Sequence, residues 1–271
     1  IVVDDQSIDS TKYVLKDFEK NYSNLKVVSI EPHVNSRVGK KFALTLGIKT
    51  AKFDYLLLSD ADCKPLSKNW ITTMTKYFNT KDIVLGISPY NKTKGILNKL
   101  IRYDDFTVML QYLSFALAKI PYMGVGRNLA YIKSLFFSVK GFASHIHIPS
   151  GDDDLFIKEV ANNDNVAIQI HKEADVFTEP KTNFSDWIYQ RKRHVSTSKY
   201  YKKIHKILIF MFSLSQFLFW IFTVILILFY PNFVIVISLF IFRIVLYYLI
   251  YYPIMRKLRQ FDLFYIFPLM E

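Results

Sequence analysis

Ile207 to Phe229 is a run of 23 residues without one charged side chain. At about 1.5 Å of rise per residue, a helix of that length crosses a hydrocarbon core about 30 Å thick. A helix also satisfies its own backbone polar groups where water is absent, so few other conformations are open to such a segment. Tyr230-Pro231-Asn232 breaks the run, and Phe233 to Tyr252 is a second apolar stretch with Arg243 near its centre. Lys199, Lys202, Lys203 and Lys206 precede the first stretch, Arg256, Lys257 and Arg259 follow the second, and the turn between them carries no Lys or Arg. The positive-inside rule reads this as an integral-membrane helical hairpin, with spans at about 207–229 and 233–252 and both ends in the cytoplasm. Arginine at mid-bilayer is costly, so Arg243 is a functional candidate, a snorkelling side chain, or the sign of a shallow second segment.

The chain ahead of the hairpin alternates short apolar runs with amphipathic ones. Ile1–Val3, Val27–Ile30, Tyr55–Leu58, Ile83–Ile87, Val166–Ile170 and Val176–Phe177 have strand character. Between them, Val14, Leu15, Phe18 and Tyr22, and later Trp70, Met74 and Phe78, recur at helical spacing. Such alternation predicts a parallel α/β sheet over residues 1–204, followed by the membrane region 205–271. Ile96–Ile120 reads as one or two amphipathic helices, and Gly124-Val125-Gly126-Arg127-Asn128 as a flexible turn entering another helix. The chain opens as if inside a strand already begun and closes on apolar sequence, Leu263 to Met270, so an N-terminal strand is expected to be missing.

Charge and cysteine content narrow the class. The formal charge of +12 calls for an anionic membrane surface or a polyanionic partner. The apolar spans favour the membrane, and a nucleic-acid partner is not expected. Cys63 is the single cysteine, which excludes an intramolecular disulfide and suits a reducing compartment.

The chemistry concentrates at strand ends. Tyr55–Leu58 stops abruptly at Ser59-Asp60-Ala61-Asp62, which sets two carboxylates at the mouth of the sheet, where open α/β folds bind ligands. Two such acids repel each other unless a cation lies between them, and hard oxygen donors suit Mg²⁺ or Mn²⁺. A turn of solvated acids is the plainer alternative. Gly151-Asp152-Asp153-Asp154 forms a second acidic cluster ahead of a helical run, with more carboxylates than a cap needs. His145 and His147 in the preceding loop read as solvated residues or metal ligands. Near Asp186–His194, helical spacing sets Gln190, Arg193 and His194 on one face and turns Arg191 elsewhere. From Lys181 to Lys206 there are eight Lys/Arg and one acid, Asp186, mostly a solvated or membrane-proximal basic segment.

Taken in order, Asp4-Asp5-x-Ser7, Gly39-Lys40-x-x-Ala43-Leu44, Asp60-Ala61-Asp62, Gly151-Asp152-Asp153 and Gln190-x-x-Arg193 resemble family 2 inverting glycosyltransferases of the GT-A fold. Membrane-anchored members include the cellulose, chitin and hyaluronan synthases. The resemblance covers about residues 1–194. It implies a Rossmann-like nucleotide-sugar-binding domain followed by a C-terminal transmembrane hairpin, with a donor that is usually UDP-linked. Asp4 and Asp5 resemble the pair contacting the nucleoside, with Lys40 nearby. Asp60 and Asp62 resemble the acids that hold Mg²⁺ or Mn²⁺ on the diphosphate, Asp62 being the metal ligand and Asp60 a ligand or a donor contact. Asp152 or Asp153 resembles the general base. Counting back from Leu155 favours the former, and the Gly-Asp-Asp phrase favours the latter. Gln190 and Arg193 resemble the diphosphate clamp, and Arg127, Asn128 and His194 fall where acceptor contacts are expected.

Two features shade that resemblance. His194 stands where processive synthases carry Trp, which favours transfer of one sugar to a lipid-linked or envelope-polysaccharide acceptor over polymerisation. The same acids also resemble haloacid-dehalogenase-type phosphatase signatures, but Lys64 occupies a Thr or Val position there. A non-catalytic membrane-anchored binding protein on a degenerate transferase scaffold is the alternative from another class.

Overall fold

In a computed structural model, residues 1–31 and 39–266 are described. The last apolar residues, 267–270, lie outside that range. The elements run β1 (Val2–Asp4), α1 (Thr11–Asn21), β2 (Val27–Ser29), α2 (Lys40–Thr50), β3 (Tyr55–Leu58), β4 (Cys63–Pro65), α3 (Trp70–Thr75) and β5 (Ile83–Leu85). They continue through α4 (Ile96–Leu117), β6 (Leu129–Ile132), α5 (Lys133–Ser138), α6 (Asp154–Val160), β7 (Val166–Ile168), β8 (Val176–Thr178) and α7 (Phe184–Val195). Two long helices close the chain, α8 (Lys203–Phe229) and α9 (Phe233–Lys257).

The main sheet has the order β3-β6-β5-β7, and it is mixed rather than parallel. β6 runs antiparallel to both neighbours, pairing Leu129 with Leu58 and with Leu85, while β5 and β7 are parallel. The turn at Gly126–Asn128 therefore feeds a strand, not the expected helix. Val-rich and Leu-rich runs carry no mark of direction, and the reversal is decided by which edge lies open when the chain returns. Its consequence is functional. The carboxyl ends of β3 and β5 and the amino end of β6 meet along one rim, and the loops after them converge.

β5 is buried on both faces, and its alternation sorts the core. Ile83 and Leu85 pack with Phe106, Met109 and Tyr112 of α4 and with Phe156 and Ile157 of α6, whereas Val84 faces Met74, Ala130 and Ala174. At Gly86 the backbone passes so close to Asn128 that a Cβ would lie 2.4 Å from its Nδ2. That amide is pinned by bonds to the carbonyls of Ile87 (2.8 Å) and Ala174 (2.7 Å). Gly86→Ala is expected to cost about 1–3 kcal/mol, as overpacking does, and to lower the midpoint of urea unfolding. An unchanged midpoint would mean that Asn128 yields freely.

The first expected helix forms, but its apolar stripe is not in the core. Val14, Phe18 and Tyr22 are exposed, and α1 has no buried residue.

The hairpin is built as the sequence implies, with longer helices. α8 and α9 pair, and both are long and apolar enough to cross a membrane, with mean hydropathy of 2.2 and 2.6 over their most apolar windows. Almost none of either window is buried, unlike the core helix of a soluble domain. The Arg243 guanidinium lies 3.7 Å from the Phe219 ring centroid, so it packs across the hairpin by a cation–π contact. The end of α9 and the segment beyond it pack onto the α/β domain. Met255, Leu258 and Leu263 enter the main core, Arg259 pairs with Asp175, and Asp262 pairs with buried Arg102 at 2.7 Å.

Candidate active site

The rim opens into a cavity of about 450 Å³. Asp60 and Asp62 enter it from the end of β3, Asp152 and Asp153 from the start of α6, and Gln190, Arg191, Arg193 and His194 from α7. Gly151 makes the turn at the second acidic cluster possible. Its φ is +97°, and a Cβ there would lie 2.6 Å from Leu155 Cδ1. Lys41 braces the same approach, since its buried ammonium donates to the carbonyls of His145 (2.5 Å) and Ile148 (3.0 Å). His145 is itself buried beside Ser144 and Glu159, neither a solvated loop residue nor part of the metal-ligand cluster.

Lys40 ties the two acidic clusters together. Its Nζ lies 2.8 Å from Asp60 Oδ1 and 2.9 Å from Asp152 Oδ2. Burial works against its charge, but Asp152, Asp60 and Asp153 outweigh that and hold the ammonium protonated well above the ordinary range. A cation at this point is what the crowded carboxylates require.

The three consecutive acids have three different jobs. Asp154 is buried and turned inward, accepting hydrogen bonds from Thr197 Oγ1 and, at 2.7 Å, from the Tyr201 hydroxyl. Asp153 caps α6, its two oxygens taken up by the amides of Asp154 and Gly126 at 2.8 Å each. Asp152 binds Lys40 through one oxygen.

Burial first, and then Asp152 and Asp154, push the Asp153 carboxyl up to about 7. His194 moves the other way. Desolvation in the cleft and the charges of Arg193, Arg127 and Arg191 bring its imidazole down to about 4, although its surface is open to the cleft. Folded Asp153 holds a proton at pH values where the unfolded chain has released it, so this group weakens folding as pH rises from about 4 to about 7. His194 strengthens folding as pH rises over much of that interval and masks the effect. Urea unfolding of parent and Asp153→Asn, with chelator present, cancels the histidine. The stability advantage of the parent is expected to fall through that window and level off above it, and a flat difference would refute the assignment.

Asp60, Asp62 and Cys63 bring candidate ligand atoms within 4.8 Å of one another. The carboxylates match a hard divalent cation, and Lys40 beside Asp60 already answers their demand for positive charge. Burial, followed by Asp62 and Asp60, raises the Cys63 thiol above its ordinary value.

Other predicted residues lie elsewhere. Asn128 is not on the cavity wall: it is 1% exposed, accepts from Trp70 Nε1 at 3.0 Å and is wholly engaged within the fold, so it has no free edge for an acceptor. Arg127 does reach the wall, held by Asp105 at 2.6 Å and stacked over Tyr90. Asp4 and Asp5 are not among the described lining residues. Asp4 accepts from the Ser7 amide and Asp5 from the Gly39 amide, one residue before Lys40. Arg191 does not point away but pairs with Asp104 at 2.9 Å inside the cavity. Sequence spacing alone misses that contact, although two adjacent acids, Asp104 and Asp105, in a predominantly apolar helix are a visible signal of it.

A mixed α/β domain with paired carboxylates at the rim, a capped acidic turn opposite and a cationic helix closing the cleft has the architecture of a GT-A glycosyltransferase. The chain belongs to glycosyl transferase family 2, which matches it over residues 1–136. Among solved structures, a mannosyltransferase from Pyrobaculum calidifontis in complex with GDP-Man and Mn²⁺ superposes with a TM-score of 0.54 at 18% identity, covering 74% of this chain and 55% of that one. Glucosyl-3-phosphoglycerate synthase from Mycobacterium tuberculosis, in complex with Mn²⁺ and UDP-glucose, gives 0.45 at 17% identity over 73% and 65%. S. aureus TarS 1-349 gives 0.43 at 17% over 66% and 50%. The chain thus spans between half and two-thirds of the length of these structures. No curated protein sequence matches it.

Proposed function

We propose that this protein is an inverting glycosyltransferase that moves one sugar from a nucleotide-sugar, UDP-linked in the first instance, to a lipid-linked or envelope-glycan acceptor at the membrane. The observation that carries the reading is Lys40 bridging Asp60 and Asp152, since it brings a diphosphate-and-metal position and a proton acceptor into one cavity. Family membership and the GDP-mannose and Mn²⁺ held by the Pyrobaculum neighbour support the donor class.

Asp62 and Asp60 would hold Mg²⁺ or Mn²⁺, which would supply positive charge to the departing diphosphate. Lys40, Gln190 and Arg193 bind and orient the donor, with Asp4 and Asp5 toward its nucleoside. Asp152 is the general base: it takes the acceptor hydroxyl's proton as that oxygen bonds to the anomeric carbon. The carbon–oxygen bond to the nucleoside diphosphate breaks, and the leaving group keeps the electron pair. Asp153 has both oxygens on backbone amides and acts as the positioning cap. Arg127 and His194 border the acceptor, and the neutral imidazole of His194 in place of an aromatic platform favours single transfer.

The hairpin spans the membrane with both ends cytoplasmic. Lys202, Lys203 and Lys206 flank one end, Arg256 and Lys257 the other, and the return of Met255 and Leu258 into the domain core supports a shared side.

Metal binding tests the reading directly. In the whole chain held in nanodiscs, Asp62→Ala is expected to abolish saturable Mn²⁺ binding and to lower metal-dependent turnover of a nucleotide-sugar by about a hundredfold or more, several kcal/mol of lost charge stabilisation. Parent-like turnover in Asp62→Ala would sink the proposal.

A further inference from the structure

The cavity has an apolar end that none of the donor residues requires. Met109 of α4, Tyr122, Met123, Tyr201 and Ile209 line it, and Ile209 sits in the second turn of α8, the first candidate span. The Tyr122 and Tyr201 rings lie 5.3 Å apart, edge to face, and the Tyr201 hydroxyl is 3.9 Å from Met123 Sδ. That hydroxyl also donates to Asp154, two residues beyond Asp152. One tyrosine thus joins the apolar wall to the acidic turn, and the wall continues onto a helix that runs into the membrane.

We infer that the acceptor is an amphiphile whose hydrocarbon tail lies against this wall and leaves along α8 into the bilayer, while its polar end faces Asp152. The inference rests on the transferase and membrane readings above. A water-soluble glycan chain needs hydrogen-bonding partners for its hydroxyls, and Met109, Met123 and Ile209 offer none, so burying one here would be costly. A hydrocarbon chain gains by the same burial. The polyisoprenoid and the acylglycerol are two sources of such a tail, and they are separable by experiment.

The test uses the whole chain in phosphatidylcholine nanodiscs with two photoreactive probes, a diazirine-bearing undecaprenyl phosphate and a diazirine-bearing dioleoylglycerol, mapped by mass spectrometry. One probe is expected to label Met109, Met123 or Ile209, and Ile209→Trp, which fills the tail path, is expected to cut that labelling about tenfold. Labelling confined to lipid-facing positions of α8 and α9, unaffected by Ile209→Trp, would overturn the inference. Turnover with UDP-glucose, UDP-N-acetylglucosamine and GDP-mannose is read alongside, on each long-chain acceptor and on its tail-less counterpart, dimethylallyl phosphate or glycerol. Preference for the long chain, reduced about tenfold in a Met109→Trp variant of parent-like circular dichroism, supports the tail site. Equal use of tail-less acceptors refutes it. Cavity labelling without turnover of any donor upholds the tail site and counts against the transferase reading instead.

Discussion

Asp152→Asn is expected to lower kcat for sugar transfer by about 10²–10⁴-fold, the range general-base removal costs. The amide keeps the shape of the carboxyl and can still accept from Lys40, 2.9 Å away in the parent, so folding and donor KM should change little. What it cannot do is take a proton. Asp153→Asn gives the contrast. An asparagine still caps α6, but it loses one of the two backbone amides that Asp153 holds, and the stability it gives up is expected to shrink as pH rises from about 4 to about 7. Its kcat is expected to stay within about tenfold of the parent. Steady-state kinetics on both variants decides between them. A nearly active Asp152→Asn beside an inactive Asp153→Asn would exchange the two roles.

The largest stability effect is expected at the far end of the chain. Asp175 has no exposed side-chain surface and receives a forked pair of hydrogen bonds from Arg259, which also donates to the carbonyls of Lys257 (2.9 Å) and Ile170 (3.2 Å). Burial drives the Asp175 carboxyl up to about 6 even with Arg259 in place. Arg259→Ala strands a buried carboxylate, which costs about 3–5 kcal/mol. Arg259 lowers the Asp175 carboxyl, so without it that group rises further above its parent value of about 6, and the penalty should shrink as pH falls toward about 6 and level off below it. Adding Asp175→Asn to Arg259→Ala should recover most of the loss at neutral pH, a coupling read from a double-mutant cycle in urea. A loss that is the same at pH 4 and pH 8, or one not rescued by the second change, would show that Arg259 acts through packing alone.

This pair also explains the return of the tail into the domain. Arg259 on Asp175, with Gln260 and Asp262 on Arg102, clamps the segment after α9 to the connection between β7 and β8 and to α4. The outlet of the hairpin is thereby held close to the wall of the active-site cavity, since Ile101 and Asp104, on either side of Arg102 in α4, line it.

Much of the candidate site was legible from the chain alone because its signals are local. The drop from Leu58 to Asp60 and Asp62 marks a strand end wherever the strand lies, and the acids do open into the cavity. Gln190, Arg193 and His194 share a helix face by spacing, and all three line the same wall. Spacing misplaces Arg191 because a long guanidinium reaches around the helix to Asp104, a residue 87 positions away in the chain. Asn128 falls where the family resemblance places an acceptor contact, and no feature of residues 124–128 reveals that Trp70, Ile87 and Ala174 consume its amide.

By itself the sequence determined the two apolar helices, the α/β character of the domain and the acids at strand ends, because hydrophobic period and composition act over a few neighbouring residues. Only the tertiary structure decided that β6 enters antiparallel, that Asp152, Asp153 and Asp154 divide into ion-pair partner, cap and internal brace, and that the tail closes onto the core. Each of those depends on which distant group arrives within hydrogen-bonding reach. Adjacent aspartates are chemically identical until Lys40, Gly126 and Tyr201 come to meet them.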